Sequence, residues 1–418
     1  MVFRSSSPHE VTRAGSSRTG GSSSASGLHP SREDDVKNTR LHYLIREPQA
    51  PEAFSSGVSL HSHTMYSRES TSFVAGFAEK SRLFNWLIRA QLRKYSEKYG
   101  ERQLTDLNEQ TKRMWWTSPI SPAEALRVEK KQITERLSLR PLVSITDHDS
   151  IEAPLQLQMI ADNDEAPVSL EWTAPYLDTY FHIGVHNLDP EWAQTATADM
   201  LSHTADPKPG RLRELLEELA AYPDVLLVLN HPYWDQPWNG QEQHDRLLLQ
   251  FLDDFEGLIH ALEINGLRTW TENRRVVELA RSSGMKLISG GDRHGREPNA
   301  TLNLTNAATF AEFVDEIRGG AESHVLVMPH FHDPLVMRII QSLVEIMKDH
   351  PEHVHGRVHW SDRVFRRCEG ADVKTFSEFF GGKEPAMTRH LLNGARWLSG
   401  PSMRKAWKRI AVPEEAAL

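Results

Sequence analysis

Seven short apolar runs, separated by amphipathic stretches, constrain this sequence more than any other feature. They are VSLH (58–61), PLVSITDH (141–148), PVSLEW (167–172), YFHIGV (180–185), DVLLVLNH (224–231), ALEING (261–266) and MKLISGGDRH (285–294). Between or after them lie RLRELLEELAAY (211–222), ENRRVVELARSSG (272–284) and TFAEFVDEIRGG (309–320), which carry helical periodicity. The last two close on glycine, where a left-handed C-cap is expected. Strands alternating with helices predict a parallel α/β arrangement, and seven strands are enough for a barrel.

The polar residues of these runs share a position. His61, His148, Glu171, His231, Asp292 and His294 each fall at or just past the C-terminal end of a run, and His182 lies inside YFHIGV. In α/β barrels the loops at that end build the active site. Side chains two apart on a strand share a face, so His61 and His63 are expected to converge, and likewise Asp292 and His294. Imidazole mixed with carboxylate suits Zn, Mn or Fe better than a purely oxygen-loving ion. One H-x-H is a weak signal. Six runs delivering His, Asp or Glu to one rim are hard to explain as core packing.

Charge and composition narrow the alternatives. A net charge of -9 argues against a protein built to wrap duplex nucleic acid. Cys368 is the single cysteine, which excludes an internal disulfide framework and any thiolate-rich metal site, and suits a reducing compartment. No stretch approaches the apolar length needed to span a bilayer, and the start lacks the apolar core of a secretory signal. A cytoplasmic protein is therefore expected. Residues 1–40, with GSSRTGGSSSASG, are read as a disordered tail because they offer too little apolar surface to offset ordering. Residues 41–320 are read as the barrel. Within it, 74–118 is basic, rich in tryptophan and helical in pattern, and reads as an inserted lid. Residues 321–418 read as a mainly helical C-terminal extension, beginning with the amphipathic PLVMRIIQSLVEIMKDH.

With HSHTMYSRES, TDHD, SLEW, YFHIG, LNHP and GGDRH in this order, the sequence resembles the PHP (polymerase and histidinol phosphatase) family of metal-dependent phosphoesterases. The resemblance covers about residues 57–320 without the insertion. It implies a distorted (βα)7 barrel with two or three divalent metal ions at the strand ends. It also implies hydrolysis of a small phosphomonoester or nucleotide through a metal-bridging hydroxide. Carried over residue by residue, His61, His63, Glu171 and Asp292 hold the first ion. Glu171 bridges to a second, completed by His182 and His231. His148, His294 and the acid closing the first motif hold a third, and at that acid's position this sequence has Arg68.

Three readings of Arg68 stay open. Its guanidinium clamps a substrate oxygen as part of the catalytic set, or Glu69 takes the missing acid's place, or Arg68 faces solvent. Asp147 faces away from the ions on a regular strand and is expected to orient a ligand. Asp149 either shuttles protons or caps the turn before SIEAPL. Tyr233, Trp234 and Trp238 beside His231 pack the barrel rim or stack on a nucleobase; packing is favoured, and with it a small phosphorylated substrate over a nucleic acid. The histidines of DHPEHVHGRVHW (349–360) and MPHFHD (328–333) lack partner motifs and read as surface tracts. Cleavage of a C–N or carboxylic ester bond, a binding role that keeps the metal site for structure, and a nuclease are the competing functions.

Overall fold

The computed structural model describes residues 38–71, 111, 113–160, 166–236 and 239–368, and most of 372–410. Fourteen strands in the described residues form three sheets. The first sheet runs β1 (Thr39–Tyr43), β12 (Ser323–Val327), β11 (Thr301–Thr305), β2 (Ser56–Ser59), β5 (Arg140–Val143). The second runs β10 (Lys286–Gly290), β9 (Ala261–Asn265), β8 (Leu226–Leu229), β7 (Thr179–Leu188), β6 (Val168–Tyr176). A smaller third sheet runs β14 (Val373–Thr375), β13 (Val364–Arg367), β4 (Met114–Trp116), β3 (Glu69–Ser70).

The expected all-parallel barrel is corrected in two respects. β8, β9 and β10 are parallel, as are β2 with β5 and β1 with β12. However, β6, β7 and β8 are antiparallel, and β11 runs antiparallel to both its neighbours. Only Leu177 and Asp178 join β6 to β7, too few for a crossover, so a hairpin is forced, and Leu177 adopts φ 49° in its turn. The ladders also do not close into one continuous ring among the described residues. At one junction, side chains take the place of a ladder. The β10 amides of Leu287 and Ser289 donate to Thr39 Oγ1 (3.0 Å) and Asn303 Oδ1 (2.7 Å), and Ser323 Oγ donates to the Leu287 carbonyl. Near the site, two isolated parallel bridges, Ser62 with Arg293 and His148 with Glu171, connect the two large sheets.

Helices cover the outer faces. Leu212, Leu215, Leu216 and Leu219 of helix Arg211–Ala221 and Val276, Val277 and Ala280 of helix Trp270–Ser283 join the strand residues Leu170, Ile183, Leu229 and Leu262 in one apolar core. Gly284 closes the second of these helices at φ 70°, as the sequence predicts. Helix Pro122–Lys131 starts where Ser121 Oγ accepts the Glu124 amide, and it carries Glu129 inward to Arg293 (2.8 Å) and the Asn299 amide. Among the described residues no helix is long and apolar enough to cross a membrane.

The expected domain boundaries shift. Thr39 and Arg40, placed in the tail, begin β1, while residues 1–37 of that tail lie outside the described residues. The helical reading of 74–118 falls mostly outside them too, and its end forms β4. Beyond 320 the chain is not purely helical. β12 completes the first sheet between β1 and β11, and β13 pairs with β4.

Candidate metal centre

Three candidate ligands occur two residues past a strand end with left-handed backbone: His61 after β2 (φ 62°), His231 after β8 (φ 28°) and Asp292 after β10 (φ 51°). Non-glycine residues adopt this region at a cost of order 1–3 kcal/mol, and such strain gathers at functional sites. This corrects the strand-based account of the H-x-H spacing. His61, His63, Asp292 and His294 all lie beyond their strands. The turns swing the side chains over the sheet ends, bringing the rings of His61 and His63 to 5.1 Å and those of His63 and His294 to 4.4 Å. Gly290 and Gly291 make the last turn possible. A Cβ on Gly290 would stand 1.6 Å from Glu263 Oε1, and one on Gly291 would stand 1.7 Å from Asn299 Oδ1.

Glu171 sits at the centre, fully buried, and its two oxygens face different groups. Oε2 lies 3.1 Å from His61 Nε2, 3.4 Å from His63 Nε2 and 3.2 Å from His148 Nδ1. Oε1 lies 3.3 Å from His182 Nδ1 and 3.1 Å from His231 Nε2, and accepts from Asn230 Nδ2 at 3.0 Å. Asp292 Oδ1 is 3.5 Å from His63 Nε2 and 3.8 Å from His61 Nε2. All eight residues proposed as ligands from the sequence are thus gathered into one cluster.

Glu69, on β3, brings a further carboxylate. Its Oε2 is 3.0 Å from His294 Nε2 and 3.4 Å from His148 Nε2, and its Oε1 is 3.5 Å from His63 Nδ1. Glu69 therefore stands where Arg68 breaks the pattern. Arg68 itself is exposed on the outer side, its guanidinium 5.9 Å from the centre of a Trp115 ring. Of the three readings of Arg68, the structure places Glu69 beside His148 and His294 and leaves Arg68, the residue before β3, exposed.

Five buried atoms of the cluster lack an aligned hydrogen-bond partner: His61 Nε2, His63 Nε2, His148 Nδ1, Glu171 Oε2 and Asp292 Oδ2. Buried polar atoms are rarely left so, and a convergent set of imidazole lone pairs and carboxylate oxygens fits a divalent cation. Ligand atoms of His61, His63 and Asp292 lie close enough together to share one ion, as do those of His61, Glu171 and His231, and of His63, Glu69 and His294.

The charges follow from this crowding. Burial pushes the Glu171 carboxyl up, but the imidazoles of His61, His148 and His182 outweigh it and hold it well below the usual carboxylate range. Glu69 is held low in the same way by His294, His148 and His63. Burial lowers His148, yet Glu171 and Glu69 raise it to about 10, and Glu171 and Glu263 raise His61 well above its ordinary 6.5. Burial keeps His63 and His231 at about 4, so both are neutral near pH 7.

Asp147 and Asp149 sit outside the cluster's ligand shell. Asp147 accepts from the Thr64 amide (2.5 Å) and Thr64 Oγ1 (2.6 Å), which fixes the loop carrying His61 and His63, and burial pushes it up to about 7. These contacts are those of a residue that orients the loop rather than one that meets the cluster. Asp149, at φ 52°, accepts the Thr173 amide at 2.9 Å, the contact of a turn residue. Arg293 faces away, onto Glu129.

Glu263, inside the ALEING run read as a strand, and Arg268, two residues beyond that run, also belong to the site. Glu263 Oε1 meets His61 Nδ1 at 2.5 Å, and its Oε2 accepts the His231 amide (2.8 Å) and Asn265 Nδ2 (2.9 Å). Arg268 Nη2 lies 2.8 Å from Asp292 Oδ2, with its guanidinium 3.7 Å over the Trp234 ring. A charged residue amid ALEIN was the available signal. Tyr233 is likewise covered by Arg275 (3.8 Å), so these aromatics carry arginines, while Trp238 lies outside the described residues. His330 bonds the Pro298 carbonyl at 3.3 Å and His359 meets Asp349 at 3.0 Å, both apart from the cluster.

No protein-family model matches this chain, and no curated protein matches it. Among solved structures it is similar to PsfC from Pseudomonas syringae PB-5123, at 15% identity over 52% of this chain and 86% of that one, with a TM-score of 0.35. It is also similar to a candidate metal-dependent phosphoesterase from Bifidobacterium adolescentis (17% identity, 49% and 92% covered, TM-score 0.29). A third is an amidohydrolase from Chromobacterium violaceum with bound sulfate (16% identity, 42% and 83% covered, TM-score 0.28). At these scores the likenesses fix neither fold nor function. The cluster itself defines a centre able to hold divalent cations.

Proposed function

We propose that this protein is a metal-dependent phosphoesterase of the PHP type, hydrolysing a small phosphomonoester or nucleotide. The observation that carries the reading is the division of Glu171 between two imidazole groups, which is what a carboxylate shared by two cations requires. His61, His63 and Asp292 would hold one cation with Glu171, and His182 and His231 a second. Glu69, His148 and His294 would hold a third. The chemistry such ions supply is charge on the phosphoryl oxygens and a more acidic water.

The chain's own residues do the rest. Glu263 accepts from His61 Nδ1, so that Nε2, which faces the cluster, is the nitrogen that would give up its proton to an ion. Asn230 donates to Glu171 Oε1 and fixes the rotation of that carboxylate. Asp147, through Thr64, holds the loop that carries both histidines of the first motif. Ser67 Oγ accepts from the His148 amide and contacts His63 Nδ1 at 3.2 Å, tying two ligand loops together.

The test is turnover by Mn- or Zn-loaded protein against panels of phosphomonoesters, nucleotides and amides, with His61→Ala as control. Phosphate release dependent on His61 is the expected result. Cleavage confined to the amides, or no release above the control, overturns the reading.

A further inference from the structure

We propose that residues 116–120 form a strap that holds the Glu69–His148–His294 corner of the cluster from outside the two large sheets, with Ser118 as the positioning residue for His294. The inference rests on the reading of that corner as a cation site. Glu69 and Trp116 stand opposite each other in the β3–β4 ladder and so share a face. Glu69 carries its carboxylate to His294 and His148, and the Trp116 ring, 8% exposed, lies 5.4 Å from the His294 ring. Two residues on, the fully buried Ser118 Oγ donates to the His294 carbonyl at 2.8 Å and accepts the Ile120 amide at 3.4 Å. The Ile120 carbonyl in turn accepts the amide of Met65, two residues past His63, at 2.9 Å. One short segment thus grips the loops that carry His294 and His63.

This hold decides where the His294 ring points. Its Nδ1 donates to the Asp292 carbonyl at 2.9 Å, which leaves Nε2 to face Glu69 Oε2 at 3.0 Å. The ring is aimed by its own backbone, and Ser118 fixes that backbone two carbonyls further on. Other ligands are held from the second sheet: Glu263 meets His61 and the His231 amide, and Asn230 donates to Glu171. The strap is backed by the C-terminal extension instead. The Thr117 amide donates to the Arg363 carbonyl at 3.0 Å, β4 pairs with β13, and Trp116 packs with Ile346 and Val364, its ring 5.4 Å from that of Trp360. Outer contacts that orient a ligand histidine tune the affinity of the ion it meets. Occupancy of the Glu69 corner therefore depends on residues beyond 320 in a way that the groups around Glu171 Oε1 do not.

The experiment measures ion content and affinity of the full chain against chelator-buffered Zn2+, with thermal melts on the same samples and Glu69→Gln as the reference for a disabled corner. Ser118→Ala is expected to weaken, by about tenfold, the same ion that Glu69→Gln weakens, leaving the other ions as in wild type. Added to Glu69→Gln, it is expected to cost nothing further in ion content, because both changes act on one ion. Trp116→Leu, which keeps the Ser118 bond and removes the ring from His294, weakens the same ion, and it keeps the idea testable if Ser118→Ala misfolds. Affinity of every ion within twofold of wild type in Ser118→Ala overturns the proposal. So does a loss spread over all ions in step with the melting temperature, since residues 116–120 would then serve packing alone. Ion content lowered by Glu69→Gln but not by Ser118→Ala refutes the strap alone. Ion content indifferent to Glu69→Gln refutes the cation reading of the corner, and the strap with it.

Discussion

Replacing Glu263 by glutamine keeps the shape of the side chain and removes one acceptor. In the native protein Oε1 meets His61 Nδ1 while Oε2 serves the His231 amide and Asn265. A glutamine has one oxygen for these two duties. If its NH2 faces His61, the imidazole must carry its proton on Nε2, the atom needed for an ion. If the amide turns over, its NH2 meets the donor N–H of His231. Either way one hydrogen bond to a charged or buried partner is lost, worth about 1.5–3 kcal/mol. Losing the partner of a ligand histidine typically lowers metal affinity about 10- to 100-fold. Competition of the metal-free variant with a fluorescent chelator for Zn2+ or Mn2+ would measure this, with a thermal melt to confirm folding. An affinity within twofold of wild type, in a folded variant, would refute the reasoning.

Other outcomes are equally definite. Gly290→Ala drives a methyl into Glu263 and is expected to lose metal and at least about 1–3 kcal/mol of stability by overpacking, read from ion content and a denaturant titration; wild-type values would refute the close approach. Glu69→Gln should weaken one bound ion while leaving Arg68→Ala indistinguishable from wild type, within about 0.5 kcal/mol in stability and unchanged in metal content; the reverse ranking would restore the clamp. The pH dependence has a definite sign. His61, His148 and His294 titrate above their ordinary 6.5 without metal, His148 near 10, so their stabilising pairs are complete below about 6.5 and fade as pH rises. Glu69, Glu171 and Asp292 titrate below the usual carboxylate range, so their contribution fades as pH falls below about 4. Loading metal at pH 7 should therefore release protons, seen as a calorimetric heat that depends on the buffer's ionisation enthalpy; a buffer-independent heat would count against it.

What could be read from the sequence was what local order encodes. Residue type and run ends pointed to the eight clustered residues, because those ligands occur within a few residues of apolar strands. The left-handed turns that aim His61, His231 and Asp292 were hidden, since the residues there are not glycine or asparagine. The β6–β7 hairpin was hidden behind Leu177–Asp178, which lacks the usual turn residues. Glu263 and Arg268 were missed because each contacts residues distant in sequence, and a single charge in an apolar run does not reveal its partner. Glu69 depended on register: one residue's difference between Arg68 and Glu69 decides which points inward, and that register is set by β4.

The small sheet also orders events in time. Glu69 is synthesised early, but β3 pairs with β4, and β4 pairs with β13, which is synthesised almost at the end of the described chain. Pairing of such distant segments is slow, because loop closure precedes any reward from contact. All strands of the two large sheets precede β13 in the chain, so the small sheet is the one whose pairing needs the latest segment. A nascent chain arrested before Val364 would then carry β3 and β4 but lack β13, the strand that pairs with the far edge of β4.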